Sequence, residues 1–139
     1  MKKIAIVGSR RMTSYGKEVI GMLMDKLKSQ EIVTIRVAGC NAEVIKLGAK
    51  KIFEGQNFEK INNDVADYAD VLVVVEGGRK SGTVLLAADF IDKGKLVYCV
   101  PGPVTEENSW APNWLISMGA IPLISSEGLT EDDMIVDNG

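Results

Sequence analysis

Val71-Leu72-Val73-Val74-Val75-Glu76-Gly77-Gly78-Arg79-Lys80-Ser81-Gly82-Thr83 is the stretch that decides the fold. Five consecutive apolar residues leave no polar face, so Val71–Val75 reads as a strand buried on both sides, central in a parallel sheet. Two glycines then allow a close turn. Ser81 opens a helix with Val84, Leu85, Ala88 and Ile91 inward and Gly94 as its C-cap. A strand, a glycine-rich loop and a helix in that order form half of a βαβ unit.

The same alternation continues on both sides. Upstream, Ile4–Val7 is a strand stopped by Gly8, and 15–29 is a helix with Val19, Ile20, Leu23, Met24 and Leu27 at helical spacing and Ser14 as N-cap. Ile32–Ala38 is a β-branched strand ending at Gly39. Ala42–Phe53 is read as one helix striped by Val44, Ile45, Leu47 and Ile52, and Phe58–Tyr68 as another, with no strand between them. Downstream come the strand Leu96–Val100, a short helix over Asn113–Met118 and a weaker strand over Ile121–Ile124. The expected fold is a three-layer, doubly wound Rossmann-like α/β sandwich with about five parallel strands. The preferred order is 2-1-3-4-5; order 3-2-1 around the first strand is the alternative.

The 139 residues are 46% hydrophobic and 25% charged, which excludes disordered and collagen-like chains. One domain over 1–129 is expected, followed by an acidic tail at 130–139 that contains Glu131-Asp132-Asp133. No apolar run approaches the ~18–20 residues of a membrane span, and the first residues are too short in apolar character for a secretion signal. A cytoplasmic location is the expectation. Histidine is absent, so Ser-His and Cys-His catalysis and histidine metal sites are excluded. Cys40 and Cys99 lie in apolar surroundings and read as buried thiols rather than a disulfide or metal site. Neither a cofactor nor a metal is called for. Charge is lopsided: residues 1–69 sum to +4 and residues 70–139 to −7. Nucleic-acid binding would therefore need a local basic patch.

Ligands of doubly wound sheets bind at the carboxyl ends of the strands. Gly77, Gly78, Lys80, Ser81, Gly82 and Thr83 supply what a phosphate needs there: close backbone approach, hydroxyls, charge and a helix N-terminus. The order of Lys80 and Ser81-Gly82-Thr83 does not match a Walker A loop. Gly8, Ser9 and Arg10 follow the first strand at the same sheet end, with Arg10 offering a bidentate fork and Arg11 facing either way. Gly39 ends the second strand, and Asn41 is read as the N-cap of the next helix. Glu76 has two readings, ligand contact or cap for loop amides. Trp110 and Trp114, four apart, read as a core or dimer contact in preference to a base-stacking platform.

These residues resemble a known family. Val7-Gly8-Ser9-Arg10, Val73-Val74-Val75-Glu76 with Ser81-Gly82-Thr83 and Ala87-Ala88, Val100-Pro101-Gly102, and Ser109 with Asn113, Leu115-Ile116 and Gly119-Ala120 are similar, in that order, to the DNA-processing protein A (DprA/Smf) family. That family belongs to a wider Rossmann-like group shared with the Lonely-guy nucleotide hydrolases. The resemblance implies a non-catalytic homodimer that binds nucleotide or single-stranded DNA and works with a RecA-type recombinase. It implies Ser9, Arg10, Ser81, Gly82 and Thr83 as pocket residues. One alternative is a Lonely-guy-type hydrolase cleaving the N-glycosidic bond of a nucleoside monophosphate, with Glu76 and Asp89 as candidate carboxylates. The other is a small nucleotide-ligand sensor or carrier.

Overall fold

The computed structural model describes residues 1–125, so the acidic tail at 130–139 and the domain boundary at 129 lie outside the described residues. A single parallel sheet runs through it, made of β1 (Lys3–Val7), β2 (Glu31–Ile35), β3 (Lys51–Phe53), β4 (Val71–Val74), β5 (Leu96–Cys99) and β6 (Ile121–Pro122). Its order is β3-β2-β1-β4-β5-β6. The helices are α1 (Ser14–Lys26), α2 (Cys40–Lys46), α3 (Phe58–Tyr68), α4 (Thr83–Asp92) and α5 (Trp110–Ser117), the last preceded by a 3-10 turn at Glu107–Ser109.

Alternation along the strands splits the core into two apolar layers. Ile4, Ile6, Val71 and Val73 pack with Val19, Ile20, Leu23, Met24 and Leu27 of the α1 segment and with Val44 of α2. Ala5, Val7, Leu72 and Val74 pack on the opposite side with Ile61 and Val65 of α3, Leu86 and Phe90 of α4 and Leu115 of α5. The result is the expected three-layer, doubly wound arrangement. Setting β3 aside, the order of the other five strands is the preferred 2-1-3-4-5.

Among the described residues the sheet has six strands rather than the expected five or so. The segment read as one helix over 42–53 divides: α2 ends at Lys46, Gly48 takes φ +122, and Lys51–Phe53 pairs in parallel with Val33–Ile35 at the sheet edge. A left-handed glycine stops the helix, and a strand of three residues is too short to show a period of its own. The inward face of α4 also differs. Leu86, Ala87 and Phe90 are buried, whereas Leu85 and Ile91 are exposed. The helix is apolar nearly all round, so its spacing allowed two stripes. Thr13, not Ser14, caps α1, its side chain accepting from the Gly16 amide at 3.0 Å. Gly82, not Ser81, occupies the N-cap of α4, and α5 begins at Trp110, three residues before the expected start.

Strand order reverses between β1 and β4. The chain leaves β1 toward β2 on one side and leaves β4 toward β5 on the other, so the loops that follow β1 and β4 diverge and open a crevice. No helix among the described residues is long and apolar enough to cross a membrane.

Candidate functional site

The crevice at this switch point has a volume of about 610 Å³, within the range of small-ligand pockets. One wall is the loop after β1, with Gly8, Ser9, Arg10 and Arg11. The other is the loop after β4, with Gly78, Arg79, Lys80, Ser81, Gly82 and Thr83. The two glycine-containing loops singled out from the sequence therefore meet at one site. Arg10, Arg11, Arg79 and Lys80 are all exposed, and none takes part in an ion pair among the described residues.

Each wall is fixed by its own hydrogen bonds. The Gly8 amide donates to Asn41 Oδ1 at 2.9 Å, and Asn41 Nδ2 donates to the Ile35 carbonyl at 3.0 Å. Asn41 is thus buried inside α2 and ties β1 to β2; Gly39, not Asn41, takes the N-cap place. Ser9 Oγ accepts from the Arg11 amide at 3.0 Å and donates to Asn108 Oδ1 at 3.4 Å. Asn108 Nδ2 in turn donates to the Arg11 carbonyl. In the other wall the Ser81 and Thr83 hydroxyls are 2.8 Å apart, and the Thr83 amide donates to Ser81 Oγ at 3.2 Å. The amides of Lys80 and Gly82 have no partner among the described hydrogen bonds, and they stand at the positive end of α4.

Three of the expected site residues do not line the crevice. Gly39, at φ +83, lies beneath the first wall, where a Cβ would collide with the backbone of Ser9 and Arg10. Its role is to let that backbone pass. Gly77 is spent on structure: its amide donates to the Asn108 carbonyl at 2.7 Å and its carbonyl accepts from Ala111 at 2.8 Å. Glu76 is turned away, only 2% exposed, and accepts from the Thr13 amide at 3.1 Å and from the Thr13 hydroxyl. Asp89, the second carboxylate of the hydrolase alternative, is also outside the lining.

Sequence reasoning missed Phe58, Asn62, Glu107 and Asn108, all of which line the crevice. The Phe58 ring lies 5.8 Å from the Arg10 guanidinium, and Asn62 is only 8% exposed with its side chain at the wall. A signal for the first pair was present. A crossover helix runs antiparallel to the strands, so the N-terminus of α3 must lie at their carboxyl ends, and Phe58 and Asn62 share one face of its first turns. Nothing local in the sequence marks Asn108; it reaches the site through the turn before α5.

Beyond Arg79 a second cavity of about 450 Å³ opens, lined by Trp110, Trp114, Asn113, Val104 and the Glu106 and Glu107 segment. The two indoles stack, with centroids 5.6 Å apart and planes 10° apart, and Arg79 sits 5.0 Å from the Trp110 ring centre. Cys40 and Cys99 are free and buried, and no cluster of metal-binding side chains occurs among the described residues.

A family model described as DNA recombination-mediator protein A matches residues 44–132. Among curated proteins, DNA processing protein DprA of Bacillus subtilis (strain 168) is 25% identical over an alignment 174 residues long, gaps included, that covers 94% of this chain and 59% of that protein. The chain thus spans about three-fifths of the relative's length. Two solved structures share the fold. DprA from Helicobacter pylori, described for its single-stranded DNA binding mode, has a TM-score of 0.80 at 19% identity, covering 94% of this chain and 79% of its own. DprA from Streptococcus pneumoniae has a TM-score of 0.79 at 17% identity, covering 95% and 62%.

Proposed function

The chain belongs to the DNA recombination-mediator protein A family, and on that premise we propose that its crevice holds the phosphates of a nucleotide or of a single DNA strand. The observation that carries this is the meeting of the loops after β1 and β4, with Arg10, Arg11, Arg79 and Lys80 free of ion pairs among the described residues. A phosphate at the start of α4 has unpaired amides and the helix dipole on one side and the Arg10 fork on the other. Phe58 offers a base a ring face beside that phosphate. Ser9, Arg10, Lys80, Ser81, Gly82 and Thr83 are the contact residues, with Gly8, Gly39, Gly77 and Gly78 shaping the backbone.

Binding is favoured over glycosidic cleavage by the position of the carboxylates. Glu76 is engaged with Thr13, and Asp89 does not line the crevice. The same proposal includes a cytoplasmic location, a homodimer and, on the family's recombination-mediator description, a RecA-type recombinase as partner.

Titration of a labelled single-stranded oligonucleotide across a salt series tests the crevice. The double variant Arg10→Ala, Lys80→Ala is expected to weaken binding and to flatten the plot of log affinity against log salt by about 1.4, about 0.7 for each lost phosphate contact on a single strand. Unchanged affinity and slope would place the patch elsewhere. Parallel titration with mononucleotides separates a strand-binding module from a nucleotide sensor.

A further inference from the structure

We propose that the stacked pair Trp110 and Trp114 is a second, base-stacking subsite, which receives one nucleobase of a single strand whose phosphates occupy the crevice. It rests on the crevice reading above and adds to it a place, a ligand moiety and a path. The place is the cavity of about 450 Å³ beside the crevice. Arg79 and Glu107 line both cavities, so a strand leaving the crevice past Arg79 arrives at the indoles.

Three observations favour a base as the occupant. Two parallel indoles with Trp114 38% exposed leave aromatic surface open at the wall of a cavity, and a flat π-face suits any base. Glu106 brings a carboxylate to this cavity and not to the crevice, which repels a phosphate here but tolerates a neutral ring. The shelf is also held in register with the crevice. The Gly77 peptide bonds to Asn108 and Ala111, and Asn113 bonds both ways to Gly102, with Gly102 N donating to Oδ1 at 3.1 Å and Nδ2 donating to the Gly102 carbonyl at 2.9 Å. A rigid platform at a fixed distance from a phosphate site loses little entropy when a base is laid on it.

The two indoles are the only tryptophans in the sequence, so intrinsic fluorescence reports on this shelf alone. The full chain is titrated with oligodeoxythymidylate, with an abasic oligomer of the same length and with inorganic phosphate. Quenching is expected with the base-bearing oligomer and not with the other two. Trp114→Ala should weaken the base-bearing oligomer about tenfold and leave the abasic one unchanged, while Trp114→Phe restores most of the loss. Arg10→Ala with Lys80→Ala should weaken both oligomers alike.

If the base-bearing oligomer binds in an Arg10- and Lys80-dependent way but leaves the fluorescence unchanged, the shelf is wrong and the crevice reading stands. If neither oligomer binds, both fall together. A halving of the mass in light scattering on Trp114→Ala would assign the shelf to a contact between copies and overturn the proposal. Should Trp114→Ala fail to fold, the quenching experiment on the unaltered chain decides.

Discussion

Glu76 is almost solvent-free yet carries a carboxyl group, and its neighbours explain how. It stands at the start of α1, where it accepts from both donors of Thr13 and lies at the positive end of the helix. Cys40 Sγ donates to its Oε1 at 3.6 Å. The Cys40 thiol is pushed up from 9.0 to about 12, first by burial and then by the Glu76 charge and hydrogen bond; burial alone pushes Cys99 up to about 12. A folded value above the unfolded one means that stability is fully present below about pH 9. It is lost as pH rises toward 12, because only the unfolded chain then releases the proton. Urea midpoints measured from pH 8 to pH 11 should therefore decline more steeply for the unaltered chain than for Cys99→Ala; parallel declines would refute it. The sequence left Glu76 between two roles for a physical reason. Period-two alternation after Val74 puts Val75 and Glu76 on opposite faces, but β4 ends at Val74 and the turn carries both toward the α1 side. The end of a strand is where alternation stops predicting direction.

At the scale of elements, α3 shows what a clean pattern gives. Its limits, Phe58–Tyr68, are those expected, because Asn57 accepts from the Lys60 amide at 3.1 Å and the Ile61 and Val65 stripe is unambiguous. Its far end has no glycine. Instead Lys95, which follows α4, donates from Nζ to the carbonyls of Ala66 at 2.6 Å, Asp67 at 3.0 Å and Ala69 at 2.7 Å. A cation there satisfies orphan carbonyls and opposes the negative end of the helix. Lys95→Met keeps the stem and removes the charge, so it should lower unfolding free energy by about 1–2 kcal/mol. Chemical denaturation checks this, and a midpoint shared with the unaltered chain would show that water replaces the ammonium without loss. Such a clasp joins residues 26 to 29 positions apart and is invisible to local reading. The β3 strand escaped for a related reason, since its pairing with β2 is its main support.

For the whole molecule, strand order was legible because right-handed crossovers leave few choices, and the crevice followed from that order. The outer surface is less determined. Among the described residues the sheet ends on β6, only two residues long, beside Met118 at 66% and Ile124 at 81% exposure. Leu115 and Leu123 from the same segment are buried, so closing the core uses part of its apolar character and leaves the rest outward. An edge strand with apolar neighbours is a surface that a second copy covers well. Light scattering at micromolar concentration should give about twice the chain mass of 15.0 kDa. Met118→Glu with Ile124→Glu should return it to one chain, whereas a single-chain mass from the outset would rule the dimer out. The clasp made by Asn108 has a consequence in time. It holds Ser9 and Arg11 from 99 and 97 residues away. At about 5–20 residues per second, the ribosome adds it roughly 5–20 s after the loop it secures. A nascent chain thus carries Arg10 and Arg11 before Asn108 can hold their loop, so the ligand occupancy proposed above would mark a chain whose synthesis has passed Asn108.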